Sequence, residues 1–123
     1  MRRPWADTFR AAWEGILYAL RTQRNMRVHA AAAVAACLLG AGFRISAGEW
    51  LWLILAITLV VSAELINTAV ESAVDLTMPD LHPLAKIAKD TAAGAVLVTA
   101  VFAVIVGAVL FAGRLLQLLR SFL

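Results

Sequence analysis

Glu64, Asn67, Glu71 and Asp75 stand at i, i+3, i+7 and i+11 within the run Ala63 to Asp75. On a helix these four share one face, and the stripe extends about 16 Å along the axis. Three carboxylates and an amide are hard oxygen donors. They suit a divalent cation such as Mg²⁺, which takes one or two carboxylates together with substrate phosphates. The same face could instead supply a general base or line a path for ions or protons. Polar glue between helices accounts well for Asn67, Thr68 and Ser72, but poorly for Glu64 and Glu71, because acids repel one another. Further on, Lys86, Lys89 and Asp90 follow closely after Asp80 and His82. A lysine beside an acidic cluster suits a phosphate held on a metal. There is no GxxxxGK[ST] or GxGxxG run, so any nucleotide site must be built from helix faces. His29 and His82 lack zinc spacing, and no Ser/His/Asp order suggests acyl transfer.

The elements that must carry this stripe follow from composition. The 123 residues are 63% hydrophobic and 15% charged, against roughly 45–50% and about 25% in a soluble domain. That excludes a disordered chain and argues against a water-soluble one, because a small fold has too much surface to hide so much apolar material. The single cysteine, Cys37, excludes an internal disulfide framework and any multi-cysteine metal site. The expected class is an all-α integral membrane protein with one domain over 1–123. Spans are predicted at about 26–43, 50–75 and 91–112, near the 20 or so residues that a bilayer requires. Breaks are expected from Phe43 to Glu49 and from Thr77 to Pro83. The acidic stripe closes the second span, with Asp75 at its mouth and Glu64 below the lipid headgroups.

Between about 7 and 22, Phe9, Ala12, Trp13, Ile16, Leu17 and Leu20 recur at helical spacing. This predicts an amphipathic helix, either lying on the membrane surface or packed against the spans. Arg2, Arg3, Arg10, Arg21, Arg24, Arg27, Lys86 and Lys89 fall on one side of the predicted spans, and Arg44, Arg114 and Arg120 on the other. That asymmetry places the N-terminus in the cytoplasm. The net charge of +3 is then a matter of topology and anionic membrane lipids, and no nucleic acid partner is expected.

The run from Glu64 through Asn67 and Glu71 to Asp75 resembles the signature of the prokaryotic diacylglycerol kinase family, which includes undecaprenol kinases. Phe9 to Ile16 is similar to that family's surface helix, Arg24 to His29 to the start of its first span, and His82 to Asp90 to the approach to its third. The resemblance covers nearly the whole chain. It implies three transmembrane helices per chain, a homotrimer, and active sites between subunits at the cytoplasmic face of the bacterial inner membrane. The implied reaction moves the γ-phosphoryl group of ATP, with Mg²⁺, to a lipid hydroxyl.

Carried over by position, Glu64 resembles the catalytic base and Glu71 a metal ligand, with Asn67 and Asp75 as supporting polar residues. Asp80, His82, Lys89 and Asp90 resemble the ATP-binding group, and Arg10, Trp13 and Glu14 the lipid-substrate contacts. Where the family carries a further glutamate ligand, this chain has Gln23, which keeps a carbonyl oxygen but loses a charge. Asn25 to His29 and His82 to Ala85 are closer to the undecaprenol kinase branch. The expected substrate is therefore undecaprenol, with diacylglycerol, giving phosphatidic acid, as the alternative. Two readings of another class stand beside these. A small multidrug-type transporter would need its acid in the first span and usually four spans. A catalytically weakened scaffold is kept open by Gln23.

Overall fold

A single residue, Gln23, separates the first two helices of the chain. In the computed structural model, which describes residues 2–78 and 82–123, the elements are α1 (Trp5–Thr22), α2 (Arg24–Gly42), α3 (Ala47–Thr77) and α4 (Pro83–Ser121). No strand occurs among the described residues, so the all-α expectation holds. Gln23 adopts an extended backbone (φ −106°, ψ 114°) and caps both neighbours. Arg27 reinforces the elbow. Its Nη1 donates to the carbonyl oxygens of Leu20 at 3.3 Å and Arg21 at 2.8 Å, satisfying carbonyls that α1 leaves open and setting a cation at its negative end.

α2 closes in a Schellman turn. Ile45 N–H returns to the Gly40 carbonyl at 3.1 Å and Arg44 N–H to that of Ala41 at 3.3 Å. Arg44 supplies the left-handed residue at φ 53°, a position usually given to glycine. Ser46 then starts α3 through a reciprocal capping box. Its Oγ accepts from Glu49 N–H at 3.2 Å, and its own N–H donates to Glu49 Oε1 at 3.1 Å. Gly48 and Glu49, expected in the break, therefore belong to the first turn of α3. Likewise Pro83 opens α4 instead of interrupting it, because its fixed φ suits the first helical position. The last helix thus begins ahead of residue 91, and Lys86, Lys89 and Asp90 ride on it.

α4 packs along α3, α2 lies against α3, and α1 touches both α2 and α3. The buried cluster is Ile45, Leu53, Ala56, Val106, Leu110 and Phe111, toward the start of α3 and the far part of α4. Gly40 lies so close to Trp50 that a Cβ added there would stand 2.9 Å from its ring. Elsewhere the long helices turn apolar side chains outward: Leu51 is 69% exposed, Val104 71% and Val109 78%. Such a surface is stable only against lipid or other apolar surfaces. α3 and α4 are long and apolar enough to cross a membrane. α2 falls short by that measure because Arg24, Asn25, Arg27 and His29 occupy its first turns. On α1, Ala19 is fully buried while Trp5, Phe9, Trp13 and Tyr18 are exposed. The helix packs inward at Ala19, and Trp5, Phe9 and Trp13, spaced i, i+4 and i+8, form an exposed aromatic edge.

Candidate active site

The acidic stripe changes environment from one end to the other. Glu64 is 1% exposed, Asn67 and Thr68 are buried, Glu71 is half-buried and Asp75 is exposed. Among the described residues, neither carboxylate oxygen of Glu64 has a hydrogen-bond partner, and Asn67 Oδ1 has none either. Thr68 does not relieve Glu64, because its hydroxyl donates to the Glu64 backbone carbonyl at 2.9 Å. A buried carboxylate without a partner is costly. The nearest polar side chain recorded for it is His29 on α2, with Nε2 3.8 Å from Oε2.

One turn on, Asn67 Nδ2 donates to Glu71 Oε1 at 3.3 Å. The amide thereby fixes Glu71 and leaves its own oxygen, like those of Glu64, without a partner. Asp75 reaches across to α4, where Lys89 Nζ lies 2.5 Å from its Oδ1. The stripe is thus a graded file, from a dry carboxylate to a hydrated ion pair.

The remaining candidates fall into place unevenly. Asp90 pairs along α4 with Lys86 and not with Lys89. The Asp90 hydrogen bond, backed by its charge, holds the Lys86 ammonium above the ordinary lysine value. His82 caps α4, its Nδ1 accepting from Leu84 N–H at 3.1 Å, which commits one ring nitrogen to structure. Asp80 lies outside the described residues. Gln23, half-buried at the elbow, makes no side-chain hydrogen bond among the described residues. Arg10, Trp13 and Glu14 are exposed on α1, and Arg10 leans toward Asp7 at 3.9 Å. Between α1 and α3 an apolar cleft of about 300 Å³, lined by Ala12, Ile16, Ala19, Leu65, Thr68 and Ala69, opens one turn from Glu64.

No group of three or more His, Cys, Asp or Glu poised for a metal occurs among the described residues. The arrangement nonetheless fits Mg²⁺ shared with phosphates, which needs few protein ligands. Glu71 would supply one carboxylate, and the Asn67 oxygen, without a partner among the described residues, would be a second donor.

Two residues here carry no functional signal in the sequence: His29, because its contact with Glu64 joins two helices, and Arg27, whose charge reads there only as a topology signal although its guanidinium holds the elbow.

Residues 10–111 match the sequence model of the family described as prokaryotic diacylglycerol kinase. The chain belongs to that family. That description names a lipid kinase and not a transporter. Its relatives include a diacylglycerol kinase of Synechocystis sp., 49% identical over 113 residues, 91% of this chain and 65% of that one. An undecaprenol kinase of Bacillus subtilis is 46% identical over 108 residues, 88% of each chain. A diacylglycerol kinase of Helicobacter pylori is 52% identical over 54 residues, 44% of this chain and 42% of its own. The chain thus spans slightly less than two thirds of the Synechocystis relative.

Proposed function

We propose that this chain is a multi-pass kinase of the bacterial inner membrane that transfers the γ-phosphoryl group of ATP to the hydroxyl of undecaprenol. The observation that carries the reading is the burial of Glu64, with both carboxylate oxygens free of partners among the described residues, at the dry end of a file of oxygen donors. A membrane helix tolerates an acid there only for a task. In the proposed reaction the lipid alcohol enters from the bilayer along the apolar cleft between α1 and α3, while Arg10, Trp13 and Glu14, on another face of α1, would meet the lipid outside that cleft. Glu64 accepts its proton as the oxygen attacks the γ-phosphorus, and ADP departs with the electrons of the broken bond. Phosphoryl transfer of this kind rests on positioning and charge neutralisation.

Glu71 would hold Mg²⁺ with the Asn67 and Gln23 carbonyls, and the ion when bound would neutralise phosphate charge. Lys89, with Asp75, Asp80, His82 and Asp90 around it, would receive the nucleotide phosphates. In the same reading α2 is the first of three spans, the N-terminus is cytoplasmic and α1 lies at the inner interface, its exposed aromatics suiting that layer. The chain works as a homotrimer, which would cover the outward apolar faces that lipid does not. Single-domain organisation over 1–123 belongs to the same proposal.

The relative named as an undecaprenol kinase matches along 88% of its length and supports the choice of lipid. The Synechocystis relative favours diacylglycerol as the second reading. The test is transfer of label from γ-labelled ATP in detergent micelles, with undecaprenol against diacylglycerol and with and without Mg²⁺. Labelled lipid phosphate that requires undecaprenol and Mg²⁺ is the expected result. Equal or greater transfer to diacylglycerol reverses the order of substrates, and no transfer to either leaves the scaffold reading. Gln23→Glu is expected to lower the Mg²⁺ concentration needed for half-maximal rate several-fold, because it restores a charge to a hard-ligand set.

A further inference from the structure

Glu64 can take a proton from a lipid alcohol, but the site as built gives it no way to lose that proton again. It is 1% exposed, and among the described residues no donor or acceptor is hydrogen-bonded to either carboxylate oxygen. A base that must act repeatedly has to return to its ionised form after each transfer. His29 answers this. Its Nε2 stands 3.8 Å from Glu64 Oε2, and its side chain is 22% exposed where that of Glu64 is 1%. The imidazole thus stands between the dry carboxylate and the charged start of α2, where Arg24, Asn25 and Arg27 are exposed. A separation of 3.8 Å exceeds a hydrogen bond by less than about 1 Å, a gap that a small side-chain shift closes.

We propose that His29 is the proton outlet of Glu64, a positioning residue that acts through the base and not on the substrate. The inference rests on the reading of Glu64 as the base. In each turnover the lipid O–H bond breaks and its proton joins Glu64. The lipid oxygen bonds the γ-phosphorus, and the bond to the ADP oxygen breaks with its electron pair going to ADP. The proton then moves from Glu64 to Nε2 of neutral His29, and the imidazolium releases it to water. Glu64 is the ionisable group that faces His29 from α3. On α2 itself the neighbouring Arg27 turns its guanidinium toward the end of α1. α4 presents Ala100, Ala103, Val104 and Gly107 to the cavity that His29 lines, none of them titratable. That cavity, about 300 Å³ and otherwise apolar, has room for a free imidazole if the side chain is removed.

The experiment uses the full chain in detergent micelles with lipid alcohol and Mg-ATP, comparing the unaltered protein, His29→Gln, His29→Ala and Glu64→Gln. General acid–base assistance is worth about 10²–10⁴-fold, so loss of the outlet is expected to lower kcat of His29→Gln by about tenfold or more. The KM values should stay within about twofold, and the acid limb of the pH–kcat profile should shift. Added imidazole is expected to restore His29→Ala turnover in a saturable way, whereas pyrazole, of the same size and far weaker as a base, does not.

His29→Gln with undiminished kcat and an unchanged pH profile overturns the proposal. So does a loss confined to KM, which marks a packing role. If His29→Ala does not elute as the folded protein, His29→Gln and His29→Asn decide the matter by their pH profiles. An active Glu64→Gln protein removes the base assignment itself. An inactive Glu64→Gln beside a fully active His29→Gln removes the outlet alone.

Discussion

Lys89 on α4 and Asp75 on α3 meet across the interhelical seam, Nζ to Oδ1, at the hydrated end of the acidic file. Their side chains are 40% and 63% exposed, and an ion pair so open to water adds at most about 1 kcal/mol to stability. The pair therefore does little to hold the helices together. It holds a cation where nucleotide phosphates are expected, and they would have to draw Lys89 away from Asp75. Lys89→Met is expected to raise the KM for ATP about tenfold, the equivalent of one charge-assisted hydrogen bond. Its thermal unfolding midpoint should be nearly unchanged. Steady-state kinetics and a melt on the same preparation check both halves.

Glu64 should separate activity from stability. Glu64→Gln is expected to lower kcat by at least about 10²-fold because the amide cannot accept the proton. The same change removes a buried, unpartnered carboxylate and should stabilise the fold by on the order of 1 kcal/mol, since a neutral amide costs less to desolvate than a charge. Kinetics with denaturant unfolding in micelles measure the two effects. A variant both active and less stable contradicts this account of the site.

At the other end of the bundle, Arg114 grips Glu49 with two hydrogen bonds, Nη1 to Oε2 at 2.9 Å and Nη2 to Oε1 at 3.1 Å. Glu49 stands in the first turn of α3, ahead of the apolar run from Trp50. The Arg114 hydrogen bonds, followed by the Ser46 backbone N–H, hold its carboxyl down at about 2, against an ordinary value of 4.5. A depressed folded value means that the carboxylate stabilises the folded state fully above pH 4.5, and that this stabilisation fades as the pH falls toward 2. The unaltered protein should lose stability over that interval. Glu49→Gln should start lower and lose less, as followed by unfolding at a series of pH values.

Gly40 tests the packing at the close of α2. A methyl group there would meet the Trp50 ring at 2.9 Å and Ile45 Cδ1 at 3.1 Å. Overpacking costs about 1–3 kcal/mol, and alanine recovers about 1 kcal/mol of helix propensity. Gly40→Ala is therefore expected to be net destabilising by about 1 kcal/mol. Gly113→Ala, where a Cβ meets nothing within 4 Å, should be neutral or slightly stabilising. Thermal melts of the two variants compare them directly.

Much of the site could be read along the chain. Glu64, Asn67, Glu71 and Asp75 do share a helix face, because helical phase is fixed by spacing alone. Helix ends are less legible, since Ser46 and Glu49 form a reciprocal cap and Pro83 begins a helix it could not continue. Both are matters of local backbone geometry that apolar runs do not register. Lys89 adjoins Asp90 in sequence, and the fold gives it to Asp75.

By itself, the sequence determined an all-helical, apolar chain with one polar file on its middle helix, because hydrophobicity and period act over a few residues. Tertiary structure alone decided that His29 faces Glu64, that Lys89 answers Asp75 and that Arg114 clasps Glu49. Each of those pairs joins two helices, and which side chains meet depends on how the helices are rotated and staggered. That rotation and stagger are set by close packing between helices, where Gly40 against Trp50 is one contact that an added methyl group would crowd.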